Sequence, residues 1–292
     1  MNGLFVIDKP GGVTSHDVVS RLRKITGERS IGHLGTLDPM ATGVLPLLLG
    51  KYTRLAQFFN SAEKSYTGTI RFGFATDTYD AEGEPAGPFT QPHVSIESVR
   101  AAARHFHGEM QQMPPPFSAK KIGGTPAYKL ARAGKPVDLK PATVVIESFE
   151  IAALDGDAAS FTMDISAGGY VRSVAHELGQ ILGCGGHLSS LRRTRAGVFT
   201  LADAHTLDEL QPLSANSAAL DEMSLHPRKL LTQMPCVTAD EQTAGRMRNG
   251  NQANLPDFSS AALVKVFAGQ RDLFAIASRV AGTLFQPIVV MG

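Results

Sequence analysis

The chain has 292 residues, which predicts one large domain or a large domain with a smaller one. Hydrophobic residues make up 43% and charged residues 19%, which argues against a disordered chain. The 28 Lys and Arg residues almost balance the 27 Asp and Glu residues, and a formal net charge of +1 argues, as a whole-chain average, against a nucleic-acid-binding protein.

The first elements follow from apolar spacing. An apolar run at 4–7 predicts a buried strand. Thr14 and Asp17 have the spacing of a capping box at the start of a helix, and Gly27 ends that helix. Its apolar face is predicted to consist of Val18, Val19, Leu22 and Ile25.

The remaining elements of the chain are predicted in the same way. A glycine-rich loop over 31–43 precedes a short apolar run at 44–49. Further helices are predicted at 52–62, 96–107 and 170–182, the last with Val171, Val174, Ala175, Leu178, Ile181 and Leu182 on one face and Gly183 at its end. Strands are predicted at 66–74, 143–152, 159–167, 262–267, 273–278 and 287–290.

Charge is distributed unevenly along the chain. Residues 75–99 and 201–223 each contain five acidic residues and no basic one, whereas 117–140 contains six basic residues and one acidic residue. Arg192, Arg193 and Arg195 form a second basic cluster. The overall balance therefore conceals two basic segments suited to an anionic partner.

Several function classes are excluded by details of the sequence. Two cysteines, Cys184 and Cys236, rule out a disulfide scaffold and a four-cysteine zinc site. Gly50-Lys51 lacks the Ser or Thr of a phosphate loop, and Gln180 replaces the second His of a zinc-protease motif. Because these motifs are incomplete, we expect no metal site. No stretch approaches the roughly 20 apolar residues of a membrane span, so we expect a soluble, cytoplasmic protein.

The most informative element is the loop His33-Leu34-Gly35-Thr36-Leu37-Asp38-Pro39-Met40-Ala41-Thr42-Gly43. An Asp before Pro is ordinarily a turn residue that bonds its own backbone. Here glycines flank it and an apolar run follows, and chemistry is commonly placed on loops held by a rigid scaffold.

With this loop the sequence resembles the TruB family of tRNA pseudouridine synthases, which convert uridine 55 in the TΨC loop. The resemblance extends over most of the chain in the family's order. It includes Asp8-Lys9-Pro10 with Gly12, the loop above, Lys64-Ser65-Tyr66, Thr76-Asp77-Thr78-Tyr79-Asp80, Pro115-Pro116-Phe117-Ser118-Ala119, Gly169-Tyr170-Val171-Arg172 and Leu191-Arg192-Arg193.

The resemblance implies an isomerase in which Asp38 is the catalytic nucleophile, with no redox cofactor, ATP or metal. Whether the carboxylate attacks C1′ or C6, or abstracts a sugar proton, stays open, but it must be ionised when it acts. The family pattern pairs Arg172 with Asp38 and makes Asp80 a second acid that holds Arg172. Tyr66 would stack on the flipped uracil, and Leu191 would form an apolar wall of the pocket.

Contacts with RNA are implied as well. His33 would help to fill the space left by the flipped base, and Lys120, Lys121, Arg192 and Arg193, with Arg195, would contact phosphates. The basic segment resembles an insertion, about 108–142, that closes over the TΨC arm of the tRNA and orders on binding. Phe117 stands where the family commonly has Tyr, which would remove a hydrogen bond, and Gly169 stands where it commonly has Thr.

The implied fold is α+β, with a mixed, largely antiparallel sheet flanked by helices. Residues 1–233 would form the catalytic domain, and 234–292 a small β-rich, PUA-like RNA-binding domain. We expect a monomer whose partner is tRNA. Two other functions stay open at this stage, a tRNA-folding chaperone and an RNA-binding module with an inactive site, although the retention of four site residues together favours the enzyme.

Overall fold

The computed structural model describes residues 1–59, 62–118, 120–135 and 137–291. In chain order the strands are β1 Gly3–Lys9, β2 Ile31–His33, β3 Thr42–Leu49, β4 Lys64–Phe72, β5 Ala75–Thr76, β6 Pro85–Ala86, β7 Gly108–Gln112, β8 Lys121–Ile122, β9 Thr125–Pro126, β10 Ala142–Asp155, β11 Ala158–Ile165, β12 Gly186–Ala196, β13 Phe199–Thr200, β14 Ala204–His205, β15 Cys236–Thr238, β16 Ala253–Asn254, β17 Leu263–Ala268, β18 Asp272–Ala281 and β19 Leu284–Val290. The α-helices are α1 Ser15–Thr26, α2 Ile96–Ala103, α3 Ala127–Arg132, α4 Val171–Ile181, α5 Leu207–Leu210, α6 Ser217–Met223 and α7 Glu241–Arg248.

A ten-stranded sheet forms the centre of the molecule. Its main path runs β14-β1-β3-β12-β4-β11-β10-β7, with β13 paired to β12 and β2 paired to β3. All neighbouring strands are antiparallel except β1 with β14 and β3 with β12. The expected α+β fold with a mixed, largely antiparallel sheet is confirmed.

Helix α1 forms where the sequence predicts it, for the predicted reasons. The Thr14 hydroxyl accepts a hydrogen bond from the Asp17 N–H at 3.1 Å, and the Asp17 carboxylate accepts one from the Thr14 N–H at 2.9 Å. Gly27 ends the helix in the left-handed conformation at φ 69°. Val18, Val19, Leu22 and Ile25 are buried against the sheet, as predicted.

A second, five-stranded sheet, β15-β17-β18-β19-β16, follows the large one and confirms a β-rich C-terminal unit. It packs on the first sheet through a shared apolar cluster, in which Leu4 and Val6 of β1 meet Phe267 and Ile276 of the second sheet. The two sheets are therefore joined by buried apolar surface, which stabilises their relative position.

Two of the predicted helices differ in detail from the structure. The helix predicted at 52–62 forms as 3₁₀ turns over Gly50–Phe58, and residues 60 and 61 lie outside the described residues. Tyr52 and Leu55 are its buried side chains, and their spacing of three matches the 3₁₀ period. In α4, Ile181 is exposed rather than part of the apolar face, because it lies in the last turn where the helix leaves the sheet. No helix in the described part of the chain is long and apolar enough to cross a bilayer.

The parallel pairing of β3 and β12 depends on a glycine. Gly43 has φ 98° and pairs with Arg193, and a Cβ at Gly43 would lie 2.2 Å from the Arg193 carbonyl oxygen. The backbones of the two strands can therefore approach this closely only without a side chain at residue 43.

We expect Gly43→Ala to lower the free energy of unfolding by about 3 kcal/mol or more, since the methyl group collides with a backbone that cannot move away alone. Urea denaturation measures the loss. Gly27→Ala is the matched control, because Gly27 also has a positive φ but a Cβ there meets nothing within 4 Å. It should cost only about 1 kcal/mol, from backbone strain. Equal losses in the two variants would contradict the steric account.

Candidate active site

The loop that carries Asp38 connects β2 to β3 and is fixed on both sides of the aspartate. The Ser15 hydroxyl, at the start of α1, accepts a hydrogen bond from the Leu37 N–H at 2.9 Å and donates one to the Leu37 carbonyl at 3.0 Å. The Lys9 ammonium donates to the Pro39 carbonyl at 3.1 Å. Leu37 and Ala41 are buried in the main core. Asp38 is thus presented from a rigid segment, as the sequence analysis expected of a scaffolded loop.

Arg172 holds Asp38 through two parallel contacts. Its Nε lies 2.9 Å from Asp38 Oδ2 and its Nη2 lies 3.0 Å from Asp38 Oδ1. Arg172 is the second residue of α4, whose neighbouring residues pack into the core, so its guanidinium is presented by a fixed helix end. Bidentate geometry of this kind fixes both the position and the rotation of a carboxylate.

The rest of the guanidinium is saturated by three further acceptors. Nη1 lies 3.2 Å from Asp80 Oδ2 and donates to the Thr78 carbonyl at 2.9 Å, and Nη2 donates to the Phe117 carbonyl at 3.0 Å. Every N–H group of Arg172 therefore has an acceptor. Because the acceptor at residue 117 is a backbone carbonyl, this contact of the insertion does not depend on whether Phe or Tyr stands there.

Asp80 is held as firmly as Arg172. Its Oδ1 accepts hydrogen bonds from the Thr78 hydroxyl at 2.6 Å and from the Glu82 N–H at 3.0 Å. The intervening Tyr79 adopts a left-handed backbone at φ 66°, and its ring stacks on His176, one turn after Arg172 on α4. The turn that carries Asp80 is therefore attached to the helix that carries Arg172.

The two carboxylates differ in accessibility. The side chain of Asp38 is 33% exposed, whereas that of Asp80 is 4% exposed. Burial raises the pKa of Asp38 above its usual range, Arg172 opposes this shift, and the negative charge of Asp80 adds to it. Asp38 is thus a reachable carboxylate in a poorly solvated setting.

Asp38 lies on a cavity of about 340 Å³, within the size range of small-ligand pockets. Five of the residues that the sequence analysis assigned to the site line this cavity together with it: His33, Tyr66, Arg172, Leu191 and Arg193. Tyr66 and Arg193 are paired in the register of β4 and β12. Burial raises the pKa of Tyr66, so its phenol is protonated at neutral pH.

The other assigned residues lie elsewhere. Arg192 points away from this cavity and forms a two-pronged ion pair with Asp8 at 3.0 and 2.7 Å. Lys120 is in the insertion, where its ammonium donates to the Lys140 carbonyl at 3.0 Å. The side chain of Lys121 lies outside the described residues. The contacts of these lysines and arginines with phosphate stay predictions.

Several residues that shape the site belong to the motifs of the resemblance but were given no role in the sequence analysis. Lys9 is fully buried, and burial lowers its pKa to about 8. Tyr170 and Lys64 line the cavity, and the Gln112 amide holds Tyr170 by bonds of 2.7 and 3.0 Å to its backbone. The signal for Lys64 was available, since it precedes Tyr66 by two residues in a strand and must share its face.

We expect Arg172→Met to lower the free energy of unfolding by about 3 kcal/mol, because it leaves Asp38 and Asp80 facing each other without a cation. A second substitution, Asp80→Asn, should restore part of that loss. Arg21→Met is the control, since Arg21 pairs with Asp208 at the exposed surface, where an ion pair contributes less than about 1 kcal/mol. Denaturant titration of the variants tests this, and a loss no larger than that of Arg21→Met would refute the buried-pair account.

The chain is similar to known proteins over most of its length. Residues 23–171 match the model of the TruB family pseudouridylate synthase N-terminal domain, and 172–232 match that of the tRNA pseudouridylate synthase B C-terminal domain. The chain is 44% identical over 294 residues to tRNA pseudouridine synthase B of Solibacter usitatus, covering 100% of both chains. It is 40% identical over 279 residues to that of Aromatoleum aromaticum, covering 94% of this chain and 87% of the relative. A chain in the crystal structure of a Cbf5-Nop10-Gar1 complex superposes with a TM-score of 0.71 at 25% identity, covering 99% of this chain and 85% of that one. The chain therefore belongs to the TruB family of tRNA pseudouridine synthases.

Proposed function

We propose that this tRNA pseudouridine synthase isomerises uridine 55 in the TΨC loop, and that Asp38 carries the chemistry on a uridine flipped out of that loop. The observation that carries the proposal is the contrast between the two carboxylates on Arg172. Asp38 lines the cavity and is one-third exposed, whereas Asp80 is buried behind the guanidinium. A substrate in the cavity can therefore reach Asp38 but not Asp80.

The chemistry sets what the cavity must do. Isomerisation breaks the bond between C1′ and N1, turns the uracil and joins C1′ to C5, with no net change in atoms or oxidation state. The site needs an anion at the sugar or base and walls that retain the detached uracil. Asp38 provides the anion, since Arg172 fixes its orientation and offsets part of the effect of burial on its pKa.

The walls suit a flipped pyrimidine. Tyr66 presents a buried aromatic face, and Leu191 closes the same cavity with an apolar side chain. Stacking of a base on an aromatic ring contributes roughly 1–3 kcal/mol. We also assign to the phenol of Tyr66 a role in the removal of the C5 proton.

RNA contacts outside the cavity are proposed from charge. The insertion over 108–142 carries Lys120 and Lys121 and reaches the site through the Phe117 carbonyl. Arg192, on the interior strand β12, has a partly exposed side chain that is ion-paired with Asp8. We assign phosphate contacts to these side chains. His33 lines the cavity itself, and its ring would help to fill the space that the flipped base leaves in the RNA.

The roles of the remaining parts stay predictions. The β-rich unit over 234–292 would be the PUA-like RNA-binding domain, and it follows the segment 23–232 covered by the two family models. The protein would act as a cytoplasmic monomer on tRNA without a cofactor. A role as a folding chaperone is compatible with the same surface, because it needs binding and release but not Asp38.

We expect an unmodified tRNA transcript to gain pseudouridine at position 55 when incubated with the protein alone. Asp38→Asn should reduce the rate by about 10³-fold or more while tRNA binding is kept, because the amide cannot act as an anion. Position-resolved pseudouridine mapping and a filter-binding assay measure the two properties.

Two controls accompany this experiment. Asp155→Asn alters an exposed acid at the turn between β10 and β11 and should leave the rate unchanged. A transcript with cytidine at position 55 should gain no pseudouridine. Pseudouridine at another position would overturn the site assignment, and an active Asp38→Asn variant would overturn the role of Asp38.

The pH dependence of the rate follows from the direction of the Asp38 shift. The active form is the carboxylate, so kcat/KM should fall on the acid side through a pKa above the roughly 3.9 of an ordinary Asp. Asp80→Asn removes the neighbouring negative charge that raises this pKa, so the acid limb should move to lower pH. Single-turnover rates between pH 4 and 8, with binding measured at each pH, test the sign. A shift to higher pH would contradict it.

A further inference from the structure

The cavity contains a group of nitrogen-bearing side chains without an acidic partner. We call His33, Lys64 and Arg193 the nitrogen cluster; all three line the cavity that Asp38 lines. Among the described residues, no carboxylate lies within 4.0 Å of any of the three. Burial lowers the pKa of both His33 and Lys64, and the positive charge of Arg193 lowers each of them further.

Strand register places the cluster on one wall. Arg193 of β12 pairs with Tyr66 of β4, and Lys64 shares the face of Tyr66 because it precedes it by two residues. His33 ends β2 at the start of the catalytic loop. These side chains therefore converge from three strands beside the proposed base pocket.

Arg193 is the centre of the cluster and is fully buried. Its Nε donates to the Val44 carbonyl at 2.7 Å and its Nη2 donates to the Gly35 carbonyl at 3.1 Å. Within the described part of the chain, its Nη1 and the Nδ1 of His33 are buried atoms without a well-aligned hydrogen bond, and the Tyr66 phenol is the polar group that interacts with the Arg193 guanidinium. Buried polar atoms of native proteins ordinarily have partners, so these two mark a place for a ligand.

Space for a ligand is kept open at Gly35. This residue has φ 111°, and a Cβ there would lie 3.3 Å from Lys64 Cε and 3.5 Å from Arg193 Nη1. A side chain at residue 35 would thus enter the space between the two cations. With glycine, the backbone of the catalytic loop lines that space instead.

Charge decides what the ligand is. Arg193 is always protonated, and Lys64, whose pKa burial lowers to about 8, is mostly protonated at neutral pH. A uracil oxygen would satisfy one N–H group but would leave both charges uncompensated. An anion compensates them, and each nucleotide of an RNA substrate supplies one phosphate.

We propose that the nitrogen cluster binds a phosphodiester next to the uridine that is isomerised. The phosphate fixes the sugar while the base is detached and turned, and the cluster keeps that negative charge away from Asp38. This inference rests on the proposed function, since it takes a nucleotide of RNA as the occupant of the cavity.

The test is a double-mutant cycle between Lys64 and single phosphates of a TΨC stem-loop RNA. Lys64→Gln should weaken binding of the all-phosphate RNA about tenfold, the effect of one lost charge-assisted contact. On RNA with a neutral methylphosphonate at the contacted linkage beside the target uridine, the same substitution should cost less than twofold. Lys64→Arg should restore binding. Kd is measured by fluorescence anisotropy, and kcat/KM by pseudouridine formation.

Lys24→Gln is the matched control, because Lys24 is an exposed lysine on α1 and does not line the cavity. Any loss that it causes should be the same on phosphate and methylphosphonate RNA. The parent protein alone gives a second measurement that needs no variant: a methylphosphonate at the contacted linkage should weaken its binding about tenfold, and one at the base of the stem should not.

The outcomes separate the two proposals. The phosphate site is refuted if Lys64→Gln weakens binding equally on the all-phosphate RNA and on each of the two RNAs that carry a methylphosphonate at a linkage beside the uridine. It is also refuted if neither methylphosphonate weakens binding by the parent protein. If the parent forms no pseudouridine but the coupling appears in Kd, the phosphate site holds and the proposed function fails.

Discussion

The contact on which the site depends is the guanidinium of Arg172 between two carboxylates. It binds Asp38 through two parallel contacts and Asp80 through a third. The Thr78 and Phe117 carbonyls accept further hydrogen bonds from it, so the guanidinium is fixed in one orientation. The Arg172 side chain on α4 therefore contacts three other segments: the loop that carries Asp38, the turn that carries Thr78 and Asp80, and the insertion at Phe117. Removing it would leave two acids in a poorly solvated cleft without a cation, which would be strongly destabilising.

Charges in the cleft are arranged in order from the acids to the bases. Asp80 and Asp38 flank Arg172, the Lys9 ammonium donates to the Pro39 carbonyl next to Asp38, and Arg193 and Lys64 line the cavity together with Tyr66. In the proposed complex, the acids would face the sugar and base of the substrate, and Lys64 with Arg193 would face its phosphate. The cavity could then hold both the Asp38 carboxylate and an anionic substrate, because each negative charge would have its own cation.

Local signals of the sequence predicted much of this arrangement. The cap of α1 by Thr14 and Asp17 depends on neighbours in the chain, and it was predicted correctly. The bonds that hold the loop around Asp38 come from Ser15 and Lys9, which lie 22 and 30 positions from their partners, so the spacing within the loop could not predict them. The burial of Lys9 and Arg193 was not predicted, because a basic side chain is ordinarily exposed and only strand register brings Arg193 beneath Tyr66. A helix was predicted at 52–62 without a type, and it forms as 3₁₀ turns at Gly50–Phe58, where the buried Tyr52 and Leu55 have the spacing of the 3₁₀ period.

The division of labour between Asp38 and Asp80 is the central claim, and the single-turnover rate with enzyme in excess over tRNA tests it most directly. Under these conditions binding is saturated, so the rate reports the chemical step. The account predicts that Asp38→Asn forms no pseudouridine on the timescale of the parent reaction, while Asp80→Asn stays measurably active, because it disturbs only the support of Arg172. An Asp80→Asn variant as inactive as Asp38→Asn, or an active Asp38→Asn variant, would contradict it.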